Sequence, residues 1–249
     1  MAGHSKWANI KHRKSRQDAK RGKLFAKLAR AIEVAARQGG GNPEFNPTLA
    51  TAVEKAKAAS MPHDNIERAI KRGIGEVEGA TYEEIWYEGY GPGGVALYVE
   101  ALTDNRNRAA SEVRSTFTRF NGNLGEPGSV AYLFSQQGLI LVHGEEDEVM
   151  LAALEAGAED VRESGEDFFE VVTAPADVGR VRQALEEAGV EIESSDVTWL
   201  PSTTVSVEEA EARKLLRLID ALEDLDDVQA VFSNYDIDDA IMEKVLAEA

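Results

Sequence analysis

The sequence predicts an α+β protein of several domains: a helical N-terminal domain, then two mixed units, the last inserted in the other. Three observations predict it. Charge divides unevenly along the chain, since residues 1–75 hold 16 Lys and Arg against 6 Asp and Glu, whereas the remaining 174 hold 11 against 39. The hydrophobic period is helical as far as residue 73 and changes to strand-and-helix alternation beyond Thr81. Within that alternation, residues 138–200 read β-α-β-β-α-β, the order of a ferredoxin-like unit.

The elements follow in order. Over residues 16–37, Leu24, Phe25, Leu28, Ile32 and Ala35 share one face of a helix, and Arg16, Lys20, Lys23, Lys27, Arg30 and Arg37 recur on another. One stripe can bury while the other faces solvent. Gly22 weakens the start of this helix. The run Gly39-Gly40-Gly41-Asn42-Pro43 ends it, because glycine accepts the left-handed conformation after a helix and proline cannot continue one. A second helix opens with Asn46 as N-cap and Pro47 in its first position, burying Leu49, Val53 and Ala56. A third begins at Pro62, or at Asp64 with Glu67 as a variant capping box, and stops at Gly73. Gly73, Gly75 and Gly79 punctuate a linker, which sets the helical, basic domain at residues 1–79.

Beyond it come a strand at 95–102, a helix at 105–120 and a strand at 128–134. The inner unit then reads as a strand at 138–142, a helix at 146–156, a hairpin at 160–173 around Gly165, a helix at 175–188 and a strand at 190–200. A helix at 207–225 and a strand at 228–235 follow. Residues 80–134 and 204–249 thus form a discontinuous α+β domain, a second ferredoxin-like unit, and residues 135–203 the ferredoxin-like domain inserted in it.

Composition excludes several classes. A hydrophobic content of 43% supports a packed core. The absence of cysteine rules out a disulfide framework, a thiolate zinc site and a cysteine nucleophile. No apolar run approaches the ~20 residues of a membrane span, and the start lacks a secretory apolar core. The cytoplasm is the expected location, although residues 1–30, with ten Lys and Arg against Asp18 alone, also resemble an organellar transit peptide. His4, His12, His63 and His143 fall in no metal-binding spacing, and no G-x-S-x-G elbow occurs. No catalytic residue, metal site or cofactor is expected; a metal-dependent nuclease using the abundant carboxylates is the competing enzymatic reading. The acidic runs at 145–148 and 223–227 read as helix caps or hydrated surface.

The basic end carries the functional expectation. Lys6, Lys11, Arg13, Lys14, Arg16, Lys20, Arg21, Lys23, Lys27 and Arg30 suit phosphate, and Trp7 and His12 offer flat faces to unpaired bases. Two blander readings stand beside this one: Trp7 and Ile10 anchor the arm to the helical core, or the basic helices dock on the acidic remainder. Arg106 and Arg108, in Thr103-Asp104-Asn105-Arg106-Asn107-Arg108, make a secondary contact candidate that Arg114 and Arg119 would extend. There Asp104 or Thr103 caps the helix and the two arginines point outward, or else they pair with local carboxylates. Residues 87–94, Tyr-Glu-Gly-Tyr-Gly-Pro-Gly-Gly, lack the ending of a phosphate loop and read as a turn between strands.

Five ordered segments carry a resemblance. The opening Met-Ala-Gly-His-Ser-Lys-Trp-Ala-Asn-Ile-Lys-His-Arg-Lys, residues 61–73 (Met-Pro-His-Asp-Asn-Ile-Glu-Arg-Ala-Ile-Lys-Arg-Gly), residues 87–94, residues 103–108 and residues 122–130 (Gly-Asn-Leu-Gly-Glu-Pro-Gly-Ser-Val) resemble the YebC/PmpR family. The resemblance implies three domains with the third inserted in the second, and a non-enzymatic role in gene expression. Bacterial members are described as transcriptional regulators that bind DNA, a mitochondrial relative activates translation of a cytochrome oxidase subunit, and some members are linked to ribosomes translating proline-rich sequences. The partner expected is nucleic acid, DNA or ribosomal RNA, with the ribosome a further candidate; neither a membrane nor a small-molecule substrate is expected. The Lys/Arg stripe lacks the Asn/Gln pattern that reads adenine edges, which favours contact with the backbone.

Overall fold

A computed structural model of the chain describes residues 21–164 and 168–247. The first unit contains helices α1 (Arg21–Gly39), α2 (Pro47–Ala58) and α3 (His63–Gly73). Its core is Ile32, Ala35, Ala36, Leu49, Val53, Ala56, Met61, Ile66 and Ala69, all drawn from these helices and their turns. Gly22 lies within α1 without a break. Gly40, at φ +88, supplies the left-handed residue that stops the helix. One side chain then closes two helix ends: the Asn46 amide donates to the carbonyls of Ala35 and Gly40, 2.8 Å each, and its oxygen accepts from the Leu49 N–H at 3.1 Å. Helix α3 begins after Pro62 with no side-chain cap, so Asp64 sits in the first turn and the alternative capping box does not form. Gly73 lets α3 cross α1 closely, since a Cβ there would stand 2.6 Å from the Glu33 carbonyl oxygen and 2.7 Å from the Ala36 Cβ.

The second unit is an antiparallel sheet in the order β3-β1-β2-β9, from strands β1 (Glu83–Tyr90), β2 (Ala96–Thr103), β3 (Asn123–Leu124) and β9 (Val228–Ser233). Helices α4 (Arg106–Arg119) and α7 (Glu209–Glu223) supply Val113, Phe117, Leu215, Leu218 and Leu222 to a core with Val95, Leu97, Val99 and Val231. Asn105 is the N-cap of α4, its side chain accepting from the Arg108 N–H at 3.1 Å, in place of Thr103 or Asp104. The third unit lies between β3 and α7 in sequence: β4 (Phe134–His143), α5 (Glu146–Glu155), β5 (Asp160–Glu163), β6 (Phe168–Thr173), α6 (Val178–Glu187) and β7 (Glu191–Pro201), in the sheet order β5-β6-β4-β7. Strand alternation sends Ile140, Val142 and Val171 to the core against Val149, Ala153, Val181 and Leu185 of the two helices. A parallel pair, β8 (Val205–Ser206) with β10 (Tyr235–Asp236), and helix α8 (Asp239–Ala247) complete the described chain.

The α+β class stands, and the inner β-α-β-β-α-β order is observed. The outer unit is built otherwise. Half of the glycine-rich segment belongs to β1, which forms a hairpin with β2 through a turn at 91–95, so that two strands precede α4. The strand expected at 128–134 does not form. Its N–H groups have another acceptor: the Glu88 carboxylate takes those of Gly128, Val130 and Ala131, each at 2.7 Å. Burial pushes the Glu88 carboxyl up, but these three donations outweigh it and hold it below its ordinary value.

The face of the first sheet away from α4 and α7 is aromatic. Trp86 stacks on Tyr98 with centroids 4.3 Å apart, and Trp199 of β7 meets both edge-on at 5.5 and 5.4 Å. Phe134 and Phe232 complete the cluster, which fastens the third unit to the second where β4 and β7 enter and leave it.

Candidate nucleic-acid interface

Helix α1 is amphipathic as its sequence requires. Phe25, Leu28, Ala29 and Ile32 face the helical core, while Lys23, Lys27 and Arg30 lie on the other side. That second side meets the chain itself. Lys23 Nζ donates to the Asp224 carbonyl at 2.9 Å and stands 3.7 Å from an Asp226 carboxylate oxygen. Lys27 Nζ donates to the Glu223 carbonyl, and Arg30 Nη1 to the Asp226 carbonyl and to Asp227 Oδ1, the last at 3.2 Å. The acceptors gather there for a local reason: α7 ends at Glu223, so its last carbonyls lack helical partners and carry the negative end of the helix dipole. The acidic run adds carboxylates to that end.

Asp227 is the centre of the arrangement. It is 2% exposed and accepts from Thr103 Oγ1 at 2.9 Å, from Arg108 Nε at 3.1 Å and Nη2 at 2.9 Å, and from Arg30. A carboxylate so deep in protein requires such charge-assisted donors. Arg108 also pairs with Asp104 at 2.7 Å, and hydrogen bonds to Asp104 and Asp227 raise its already high pKa. Lys27 is affected in the opposite sense. Burial removes water from its ammonium and lowers its pKa to about 8, against the pull of Glu223, Asp224 and Asp226.

The expected contact residues therefore divide. Lys6, Trp7, Lys11, His12, Arg13, Lys14, Arg16 and Lys20 lie outside the described residues, and of Arg21 only its place at the start of α1 is described. Lys23, Lys27 and Arg30 are brought together facing the acidic turn, with Lys23 still half-exposed. At the secondary contact the arrangement is the alternative one, pairing with local carboxylates: Arg108 meets Asp104 and Asp227, and Arg106 lies 3.4 Å from Glu83, all within the same unit. Elsewhere in the helical unit, Arg72 pairs with buried Glu33 at 2.9 Å, Arg37 donates to Thr81 Oγ1 at 2.7 Å, and Lys55 reaches Asp196 of β7 at 2.9 Å. Lys57, Arg68 and Lys71 are exposed. The acidic run at 223–227, read from sequence as capping and hydration, is where α1 docks, in keeping with the reading that sets the basic helices on the acidic remainder. The signal available was its position, at the end of a long amphipathic helix in a chain with a basic opposite end.

Among the described residues no group of three or more His, Asp or Glu side chains is placed to hold a metal ion. None of the described helices is long and apolar enough to cross a membrane.

A basic helical unit joined to two sheet units, one interrupting the other in sequence, defines a class of three-part α+β proteins. Residues 5–76 match the family model described as the TACO1/YebC protein N-terminal domain, and residues 82–235 match that of the TACO1/YebC second and third domain. The chain belongs to the TACO1/YebC family. A relative from Thermobifida fusca is 60% identical over 249 residues, covering 98% of this chain and all of its own, and one from Acidothermus cellulolyticus is 59% identical over the same span with the same coverage. Both are named probable transcriptional regulatory protein, a regulator at the level of the family. The crystal structure of a conserved hypothetical protein from Aquifex aeolicus superposes with a TM-score of 0.79 at 53% identity, covering 89% of this chain and 93% of that one.

Proposed function

We propose that this chain regulates gene expression in the cytoplasm by binding nucleic acid, without catalysis, through a basic domain over residues 1–79. The discontinuous domain at 80–134 and 204–249, with the inserted domain at 135–203, forms an acidic body that repels phosphate and orients the basic end. The observation that carries this reading is the charge division: sixteen cations against six anions in the first 75 residues, beside a body with 39 acids. The names of the relatives support a regulator, and a Lys/Arg stripe suits the backbone of duplex DNA or of structured RNA.

The segment at residues 6–20 carries six Lys and Arg, the residue types that suit phosphate. Six neutralised phosphates give a log-affinity against log-salt slope of about −5 on duplex DNA. Fluorescence anisotropy with labelled duplex DNA and with a ribosomal RNA fragment, across a salt series, measures this slope and ranks the two targets. Tighter, steeper binding to the RNA would move the site of action to translation; binding insensitive to salt on both would end the proposal. Replacing Lys11, Arg13, Lys14 and Lys20 together by Ala is expected to weaken binding by about two orders of magnitude at low salt with little change in melting temperature.

A further inference from the structure

Three cations on α1 are neutralised by the body of the same chain, and the form of that neutralisation is informative. The turn after α7 presents the carbonyl oxygens of Glu223, Asp224 and Asp226 together with the carboxylates of Asp226 and Asp227 to Lys23, Lys27 and Arg30. A row of anionic and partly anionic oxygens along a backbone is also what a nucleic-acid strand presents to a basic helix.

We propose that the face of α1 bearing Lys23, Lys27 and Arg30 is a second polyanion site, held shut by the 223–227 turn and opened when a nucleic-acid backbone takes the place of that turn. The proposal rests on the nucleic-acid reading above and adds to it a regulated site: the arm makes the first contact, and the helical unit then exchanges its own acidic partner for phosphate.

The construction of the seam favours exchange. The apolar core of the helical unit is drawn wholly from that unit, and none of the buried apolar clusters among the described residues mixes its side chains with those of the sheet units. The unit therefore keeps its core when it moves. Its described ties to the body outside the turn are the half-exposed pair Lys55–Asp196 and, at the connection itself, Arg37 with Ala80 and Thr81 and Arg30 over the Tyr82 ring. The connection between units, residues 74–82, contains neither helix nor strand, and Gly75 stands at φ +84. All three α1 cations bind main-chain carbonyls, whose partial charge is weaker than the full charge of a phosphate. A phosphate at the same distance is the stronger acceptor. Asp227 does not lose its support on opening, because Arg108 and Thr103 belong to its own unit and stay with it.

A tether tests this, and the absence of cysteine makes the test clean. Lys23 and Asp226 meet tip to tip at 3.7 Å, so the full-length double variant Lys23→Cys/Asp226→Cys should join through a short bismaleimide. Failure to join in the native protein would overturn the apposition itself. Salt titrations with a 20-base-pair duplex then compare the tethered and untethered forms of the same variant. With Lys27 and Arg30 locked away, the tethered form should show a slope shallower by about two units, so that between 50 and 200 mM salt the untethered form loses about 12-fold more affinity. Equal slopes and affinities in the two forms would overturn the second site while leaving binding by the arm intact. Binding by neither form would defeat the nucleic-acid reading and the site with it. A second measurement needs no tether: spin labels at Glu67→Cys on α3 and Ser115→Cys on α4 should move apart when duplex is added, and an unchanged distance distribution under saturating duplex would count against opening.

Discussion

Glu88 and Asp227 are both buried carboxylates, and they are held in opposite ways. Glu88, 7% exposed, binds three main-chain N–H groups of residues 128–131, within one unit and from a single loop. Asp227, 2% exposed, binds side chains from three places, one of them Arg30 of a different unit. Main-chain donors have nowhere else to turn, whereas a guanidinium can swing to water. The first carboxylate is a staple and the second a junction; burial alone does not distinguish them, but the freedom of the donors does.

The largest effect expected follows from the staple. Glu88→Ala leaves three N–H groups without an acceptor and should lower stability by about 3 kcal/mol in urea unfolding. If the loss is under about 1 kcal/mol, the loop has found other acceptors and the contrast with Asp227 fails. The sign of its pH dependence is fixed by the depressed pKa: the carboxylate's contribution is complete above the ordinary value of 4.5 and fades as the solution is acidified below it. The alanine variant should therefore lose less stability than the wild type over that acid range.

Asp227→Ala should cost less, about 2 kcal/mol, because the arginines it abandons are able to rehydrate. It should also loosen the helical unit, seen as faster amide hydrogen exchange along α1. Arg30→Gln sharpens the comparison further. Of the donors to Asp227 it removes only the one that crosses between units, so global stability should fall by about 1 kcal/mol or less, and the spin-label distances should broaden even without nucleic acid.

The smallest effect is a pH response at Lys27. Its pKa is lowered in the docked arrangement, so docking carries the full cost of burying an ammonium below about pH 8 and is relieved of it as pH rises from there toward 10.5. Closure should tighten over that interval. The groups facing Lys27 are Lys23, Glu223, Asp224 and Asp226. Lys27→Met should flatten the rise; a profile identical to wild type would assign it to another group.

Much of the fold was legible because its signals are local. Asn46 and Pro47 mark a helix start that needs nothing distant, and the alternation through residues 138–200 gave the inner unit its order. The failures share one cause, a partner far off in sequence. Residues 128–134 have strand composition, but their N–H groups serve a carboxylate 40 positions earlier. The acidic run at 223–227 resembles hydrated surface until α1, nearly 200 positions away, is placed against it. For Arg108 the sequence left an outward or a carboxylate-paired side chain open, because Asp227 lies 119 positions on. Of the candidate interface, the residue types and the α1 stripe were legible, and the choice between solvent and the acidic remainder as the face it meets was left open.

The aromatic joint between the two sheets has an optical consequence. Two of the chain's three tryptophans, Trp86 and Trp199, stand with centroids 5.5 Å apart in that joint. Ultraviolet emission and near-ultraviolet dichroism thus carry a native, label-free gauge of the angle between the sheet units, largely deaf to the helical unit's movements beyond whatever Trp7 adds. A ligand that shifts those signals acts on the body; one that moves the spin labels and leaves them still acts at the basic end.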